Sequence, residues 1–368
     1  SGVNGCKKVI NIATLDKDGM LAKDSENKTD ILARKIFKTF NNIHRSWFPS
    51  DNFSLAIDTG ESFIGTRELY YPGEMALHLT RALFQPNVKF SETVTSPATY
   101  ELIRSNPADY KYSVAAGSLG VVKDQTLDEN KISYYIDSKT NGRVDAVLIQ
   151  KGEVEGIKEI TGSTIPAFNK NPNSPIEYRT SFGGVLLGAR PYLLLNNGRS
   201  REQTSDGGIK QYRRWGKEFF QNVLCRDIPV VRSKDAIKFV DKSSSLPFRN
   251  GISCMQCHSS ADRVSQIHRN KVITTSTGTG QTFATALIRS FTPNLPQEDS
   301  LPIHPDKDFY LRPPQGTFYF RDYRGDLHDE AIMGTEGLGK VVSELDDYYI
   351  CTAKKYYHYF TGINVPLF

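Results

Sequence analysis

The sequence predicts an α+β fold, mainly helical, with a β-hairpin-containing middle region and a small helical domain at the C-terminus. Three observations predict it. Apolar residues recur at helical spacing toward both ends of the chain, where capping residues flank them. Residues 131–150 instead hold two β-branched and aromatic runs around a turn signal. The 368 residues are 38% hydrophobic and 24% charged, enough apolar content to bury real cores.

Taken in order, residues 1–107 read as a helical N-terminal region. In "TDILARKIFKTFNNIH", Thr29 and Asp30 offer a cap, and Ile31, Ile36, Phe37 and Phe40 fall near helical spacing. "PGEMALHLTRALF" predicts a second helix, with Pro72 in the first turn and Met75, Leu79 and Phe84 on a shared face. Residues 108–204 form a β-rich middle region. "KISYYID" and "GRVDAVLIQ" flank Thr140-Asn141-Gly142 and predict a hairpin, "GIKEITGSTI" offers a further strand, and "GGVLLGARPYLLLNNG" is apolar enough for either strand or helix. Residues 205–368 return to helix. Trp215, Phe219 and Val223 recur every four residues beside Phe220 and Leu224, "DKSSSLPFRNG" reads as an exposed connector, and 293–308 form a Pro-rich loop. The final "GLGKVVSELDDYYICTAKKYYHYFTG" predicts two short helices, the second closed by Gly362.

Composition removes several function classes. The formal charge of +5 is mild and its basic residues are scattered, so nucleic acid is not an expected partner. No run approaches the roughly 20 apolar residues of a transmembrane helix, so no transmembrane segment is expected. No leading apolar segment reads as a signal peptide, and the chain reads as soluble as given, with or without a leader removed.

The chemistry concentrates in "NGISCMQCHSSADR", residues 250–263. Cys254-Met255-Gln256-Cys257-His258 has the C-x-x-C-H form of covalent haem c attachment. The spacing has a physical reason: thiols one helical turn apart can each form a thioether to one vinyl group of the same porphyrin. The next residue then brings an imidazole under the iron as proximal ligand. A zinc knuckle wants a second close pair of ligands, yet Cys6, Cys225 and Cys351 are dispersed. A thioredoxin-like pair wants a preceding strand, and a local disulfide leaves His258 unexplained. One motif implies one haem.

The sixth iron ligand is less determined. Met20 and Met75 lie far upstream and Met255 lies inside the attachment loop, which leaves Met333 in "DEAIMGTEGLGK" as the candidate distal ligand, with a core-filling methionine as the competing reading. His328 and His358 stand in reserve behind it. His268 falls on the proximal side, and His304 lies in the Pro-rich loop.

Three segments carry a resemblance: "NVLCRDIP" with Cys225, "CMQCHSSAD" with Asp262, and "CTAKKYYHYFTG" with Cys351. In their order they resemble a family of bacterial monohaem c-type cytochromes, of planctomycete and myxobacterial type, built of conserved domains of unknown function. The resemblance covers about residues 180–368 and departs from the family pattern after the haem motif, where "ADRVSQIHRNKVI" stands. It implies a small cytochrome c-like haem domain at the C-terminus and a secreted or surface-associated protein. Because Cys225 and Cys351 sit in two of the matched segments, it also implies a disulfide between them. Cytochrome c maturation outside the cytoplasm agrees with such a bridge, and the expected location is the periplasm or the bacterial cell surface. Cys6 is read as an unlipidated cysteine.

"TGTGQTF" at 277–283 lacks the lysine of a phosphate-binding loop and reads as a haem-flanking or surface loop. The tyrosines at 348, 349, 356, 357 and 359 read as helical packing. Two function classes follow. One is an extracytoplasmic electron carrier or oxidoreductase subunit with a redox protein partner; the other is a structural subunit of an envelope assembly whose haem stiffens a domain.

Overall fold

The computed structural model describes residues 2–48, 74–113, 131–134, 145–160, 176–177, 185–189, 192, 207–227, 230–268, 271–278, 281–289 and 313–366. The expected "PNLPQEDSLPIHPDKD" loop with His304, the turn at 140–142 and the position of Pro72 lie outside them. Two compact units divide the chain: Ser1–Leu195 with Ile273–Leu287, and Asn196–Val272 with Ile288–Phe368. Mixed helices and small antiparallel sheets make the fold α+β and mostly helical.

The first unit opens with helices α1 (Gly2–Ile12), α2 (Ile31–Ser46), α3 (Glu74–Phe84) and α4 (Glu92–Thr95). α2 begins where the sequence says it should: the Asp30 carboxylate accepts the Ala33 amide at 2.8 Å. Its buried side, Ala33, Phe37, Asn41 and His44, follows helical spacing. Strand β1 (Thr99–Ser113) pairs antiparallel with β3 (Asp145–Ile160), which also pairs with β2 (Lys131–Tyr134). β2 and β3 pair the two runs from which the sequence predicts a hairpin, and Gly156–Ile160 of the segment "GIKEITGSTI", expected to offer a further strand, are the end of β3. Phe37, Leu77, Phe84, Tyr100, Leu102 and Ile157 close the core between helices and sheet. The expected boundary at 107/108 falls inside β1. The regions join there because Tyr100, early in β1, takes the edge of His78 at 5.1 Å and the Arg81 guanidinium over its ring at 4.5 Å. A short strand β4 (Ile176–Glu177) and helix α5 (Val185–Gly188) complete the stretch before residue 195. In the ambiguous apolar run, residues 185–188 are therefore helical.

The second unit carries α6 (Gly207–Leu224), α7 (Ser233–Ala236), a 3₁₀ turn at Pro247–Asn250 and α8 (Ile252–Val264). Beyond α8 the chain returns to the first unit, where β5 (Lys271–Gly278) and β6 (Gln281–Arg289), which lie mostly within it, join β4 in a sheet of order β4-β6-β5. Thr277, Gly278 and Gln281–Phe283 of the expected "TGTGQTF" loop are thus strand residues. The second unit continues with hairpin β7 (Gln315–Arg321) and β8 (Leu327–Met333), then α9 (Gly334–Glu344) and α10 (Asp346–Thr361). The apolar stripe of α6 is buried as predicted, with Trp215, Phe219, Phe220, Val223 and Leu224 all inside. At about 1.5–3 kcal/mol for each large side chain, that stripe fixes α6 against its neighbours. Gly362 ends α10 in the left-handed region, its amide donating to the His358 carbonyl at 2.8 Å.

The expectation of a small helical domain at the C-terminus is corrected by the hairpin of β7 and β8. Phe318, Tyr319 and Phe320 are all buried, with Phe320 at 5.3 Å and Phe318 at 6.2 Å from the Phe220 ring. The hairpin turn is built by Asp322, whose carboxylate accepts the amides of Arg324 and Asp326 at 3.0 and 2.9 Å.

Candidate functional site

Helix α8 starts at Gly251, an extended N-cap residue whose carbonyl accepts the Met255 amide at 3.1 Å. At helical spacing Cys254, Cys257, His258 and Ala261 form one stripe. The two residues between the cysteines are the anchors. Met255 is buried with Val231, Ala236 and Tyr319. Gln256 is clamped twice to Val231: its side-chain amide donates to the Val231 carbonyl at 3.0 Å, and its own carbonyl accepts the Val231 amide at 3.1 Å. Holding these two inward turns the cysteine stripe outward. Cys254 is exposed, Cys257 is half-buried, and both thiols are free.

The helix is pressed against α6 at a glycine. A Cβ on Gly216 would lie 2.5 Å from the Ala261 carbonyl oxygen, so any larger residue would push the two helices apart. Arg213, one turn before Gly216, thereby reaches Asp262, the residue after Ala261. Its Nε donates to both carboxylate oxygens at 3.2 Å. Asp262 Oδ2 lies in turn 2.9 Å from His258 Nδ1. An ionised carboxylate only accepts, so Nδ1 carries the proton and donates it to Asp262. The lone pair of the neutral ring then sits on Nε2. Phe248 packs on the imidazole with ring centroids 4.5 Å apart, and the Arg213 guanidinium lies 4.5 Å over the same Phe248 ring. His258 is thus oriented at Nδ1 by charge and on its face by packing.

Burial, aided by the neighbouring Cys254, pushes the Cys257 thiol up from its ordinary value.

The other expected residues are placed as follows. Cys225 and Cys351 form a disulfide with Cα atoms 5.3 Å apart, tying the end of α6 to α10. Met333 ends β8 and is 52% exposed. Its partner strand meets α8 through Gly316, whose added Cβ would lie 2.7 Å from the Arg263 carbonyl oxygen, more than a turn beyond His258. His328 is held between Asp322 and Glu330, each 3.2 Å from one ring nitrogen. His358 is exposed in the last turn of α10. His268 is fully buried in the 3₁₀ turn closing α8, edge-on to Trp215 at 4.0 Å. Met75 is buried, and Met20 forms an isolated bridge with Gly156.

Sequence reasoning missed Arg213 and Phe248 as parts of the site. Asp262 had a signal, since it lies four residues after His258 and a helix places that pair on one face. Among the described residues no group of three or more His, Cys, Asp or Glu side chains converges as a metal site. A porphyrin brings four nitrogen ligands of its own and asks the protein for only one or two. Comparison with protein-family models, with curated proteins and with solved structures found no match, so the functional reading rests on this helix.

Proposed function

We propose that the chain is an extracytoplasmic monohaem c-type cytochrome that transfers electrons through one haem c held by Cys254, Cys257 and His258. The observation that carries this reading is the outward stripe of α8, where two unpaired thiols one turn apart precede an imidazole whose Nδ1 is tied to Asp262. The donor set fits the group. Each thiol would supply a thioether sulfur, and His258 Nε2 would supply the proximal nitrogen. Bound there, haem supplies a one-electron ferric/ferrous couple. Met255 and Gln256 keep the attachment turn fixed to the body of the unit, and Phe248 and Asp262 keep the imidazole plane from rotating.

The Cys225–Cys351 disulfide supports an oxidising compartment, the periplasm or the cell surface, where covalent haem attachment also takes place. Met333, with its exposed thioether, is our candidate for the sixth ligand. Resemblance to the planctomycete and myxobacterial cytochromes fits the same reading, and electron transfer itself calls for a redox protein partner.

A redox titration of the full chain, produced with cytochrome c maturation and followed by visible spectra, tests the proposal. Electron transfer predicts a reversible one-electron wave and exchange with small soluble redox proteins. Attached haem that is inert to such partners would replace electron transfer by a structural role in an envelope assembly.

A further inference from the structure

Asp262 does more than accept a proton-bearing nitrogen, because it is itself held by Arg213. The geometry points to a graded electrostatic relay, Arg213 to Asp262 to His258, in which Asp262 is a positioning residue that sets the electron-donating strength of the proximal imidazole and Arg213 moderates it. This inference rests on the haem reading of the same helix and deepens it by naming what tunes the site.

The links are on one line of contacts. His258 Nδ1 stands 2.9 Å from Asp262 Oδ2, and Arg213 Nε stands 3.2 Å from that same oxygen and from Oδ1. A carboxylate accepting from an imidazole N–H raises the basicity of the opposite nitrogen, which makes it a stronger donor to a metal and favours the higher oxidation state. A guanidinium sharing the carboxylate draws charge away and weakens that effect. The three side chains are 30%, 25% and 36% exposed, so solvent damps the relay without removing it. Its place in the fold is deliberate. Gly216 permits the close approach of α6 to α8 that lets Arg213 reach over, and Phe248, in contact with both Arg213 and His258, keeps the two in register.

The two ends of the relay should act with opposite sign. Asp262→Asn keeps an oxygen acceptor for Nδ1, so orientation survives while the charge is lost; the reduction potential of the matured chain should rise. Arg213→Gln frees the carboxylate, and the potential should fall. We expect each change to shift the reduced-to-oxidised ratio at fixed ambient potential about tenfold, about 59 mV for one electron. Arg213→Gln placed in the Asp262→Asn background should shift the potential far less than it does alone, because its effect runs through Asp262.

Equal effects of Arg213→Gln in both backgrounds would overturn the relay in favour of independent surface charges. An unchanged potential in either single variant would overturn it outright. If Asp262→Asn is not matured, Asp262→Glu, which restores the charge at a longer reach, and Arg213→Gln carry the test by the same readout. Wild-type chain without covalent haem would instead withdraw the cytochrome reading itself, so the two failures are distinguishable.

Discussion

At the scale of single residues, α8 divides its work between side chains that face inward and side chains that face outward. Met255 and Gln256 spend their contacts on Val231, Ala236 and Tyr319, and this leaves Cys254, Cys257 and His258 for a ligand. The chemistry of the outward three was legible because it depends only on local spacing. Their supports were not. Asp262 is readable at four residues' distance on a helix, but Arg213 is 49 residues from Asp262 and meets it only because α6 and α8 cross at Gly216. Met333 is the open assignment at this scale. Replacing Met333 with Ala should convert a low-spin haem spectrum to high-spin; an unchanged visible spectrum would reject Met333 as the sixth ligand.

At the scale of elements, glycine contacts and buried polar groups set which helices can pack. Gly216→Val should force α6 from α8, at a cost of about 1–3 kcal/mol, and should loosen the Arg213–Asp262 contact with it. Thermal unfolding followed by circular dichroism checks the cost, and a melting temperature equal to wild type would contradict the packing account. In the first unit α2 and α3 are joined by a polar cluster. The Thr80 hydroxyl donates to the Ala76 carbonyl at 2.7 Å, so it accepts from Asn41 Nδ2 at 3.1 Å and from His44 Nδ1 at 2.7 Å. Burial holds His44 neutral, pushed down to about 3. Between about pH 3 and the ordinary histidine value near 6.5, the unfolded chain binds a proton that the folded chain does not. Stability from this site is therefore complete above about pH 6.5 and is lost as the pH falls toward 3. His44→Asn should flatten the pH dependence of the urea midpoint between pH 6.5 and 4, and an identical slope in the variant would show that His44 does not titrate on unfolding.

The same scale explains which elements were readable. α2 and α10 combine helical spacing with a cap, Asp30 before one and Gly362 after the other, so pattern and boundary agree. The β7–β8 hairpin escaped because its turn is closed by the Asp322 side chain rather than by an Asn-Gly pair, and because β8 has little buried surface to mark an alternating face. Its inner strand is decided by long-range packing of Phe318 and Phe320 on Phe220, which local sequence does not display.

At the scale of the molecule, two compact units and one disulfide define the chain. The bridge closes a separation of 126 residues within the second unit. By the chain-entropy account it stabilises that unit by up to about 5 kcal/mol. Cys225→Ser with Cys351→Ser should lower the urea midpoint of the second unit accordingly, and a midpoint equal to wild type would show that packing alone holds α6 to α10. Among the described residues no helix is long and apolar enough to cross a membrane. In the first unit β1 and β3 bring segments of helical and of β-rich texture into one core.

Intact-mass measurement of the denatured full chain, matured in cells that attach haem c, tests the central claim most directly. The account predicts the added mass of one haem that survives denaturation, reduced to single-thioether or haem-free product in Cys254→Ser and Cys257→Ser. Wild-type chain at its polypeptide mass alone, with both thiols open to alkylation, would contradict it.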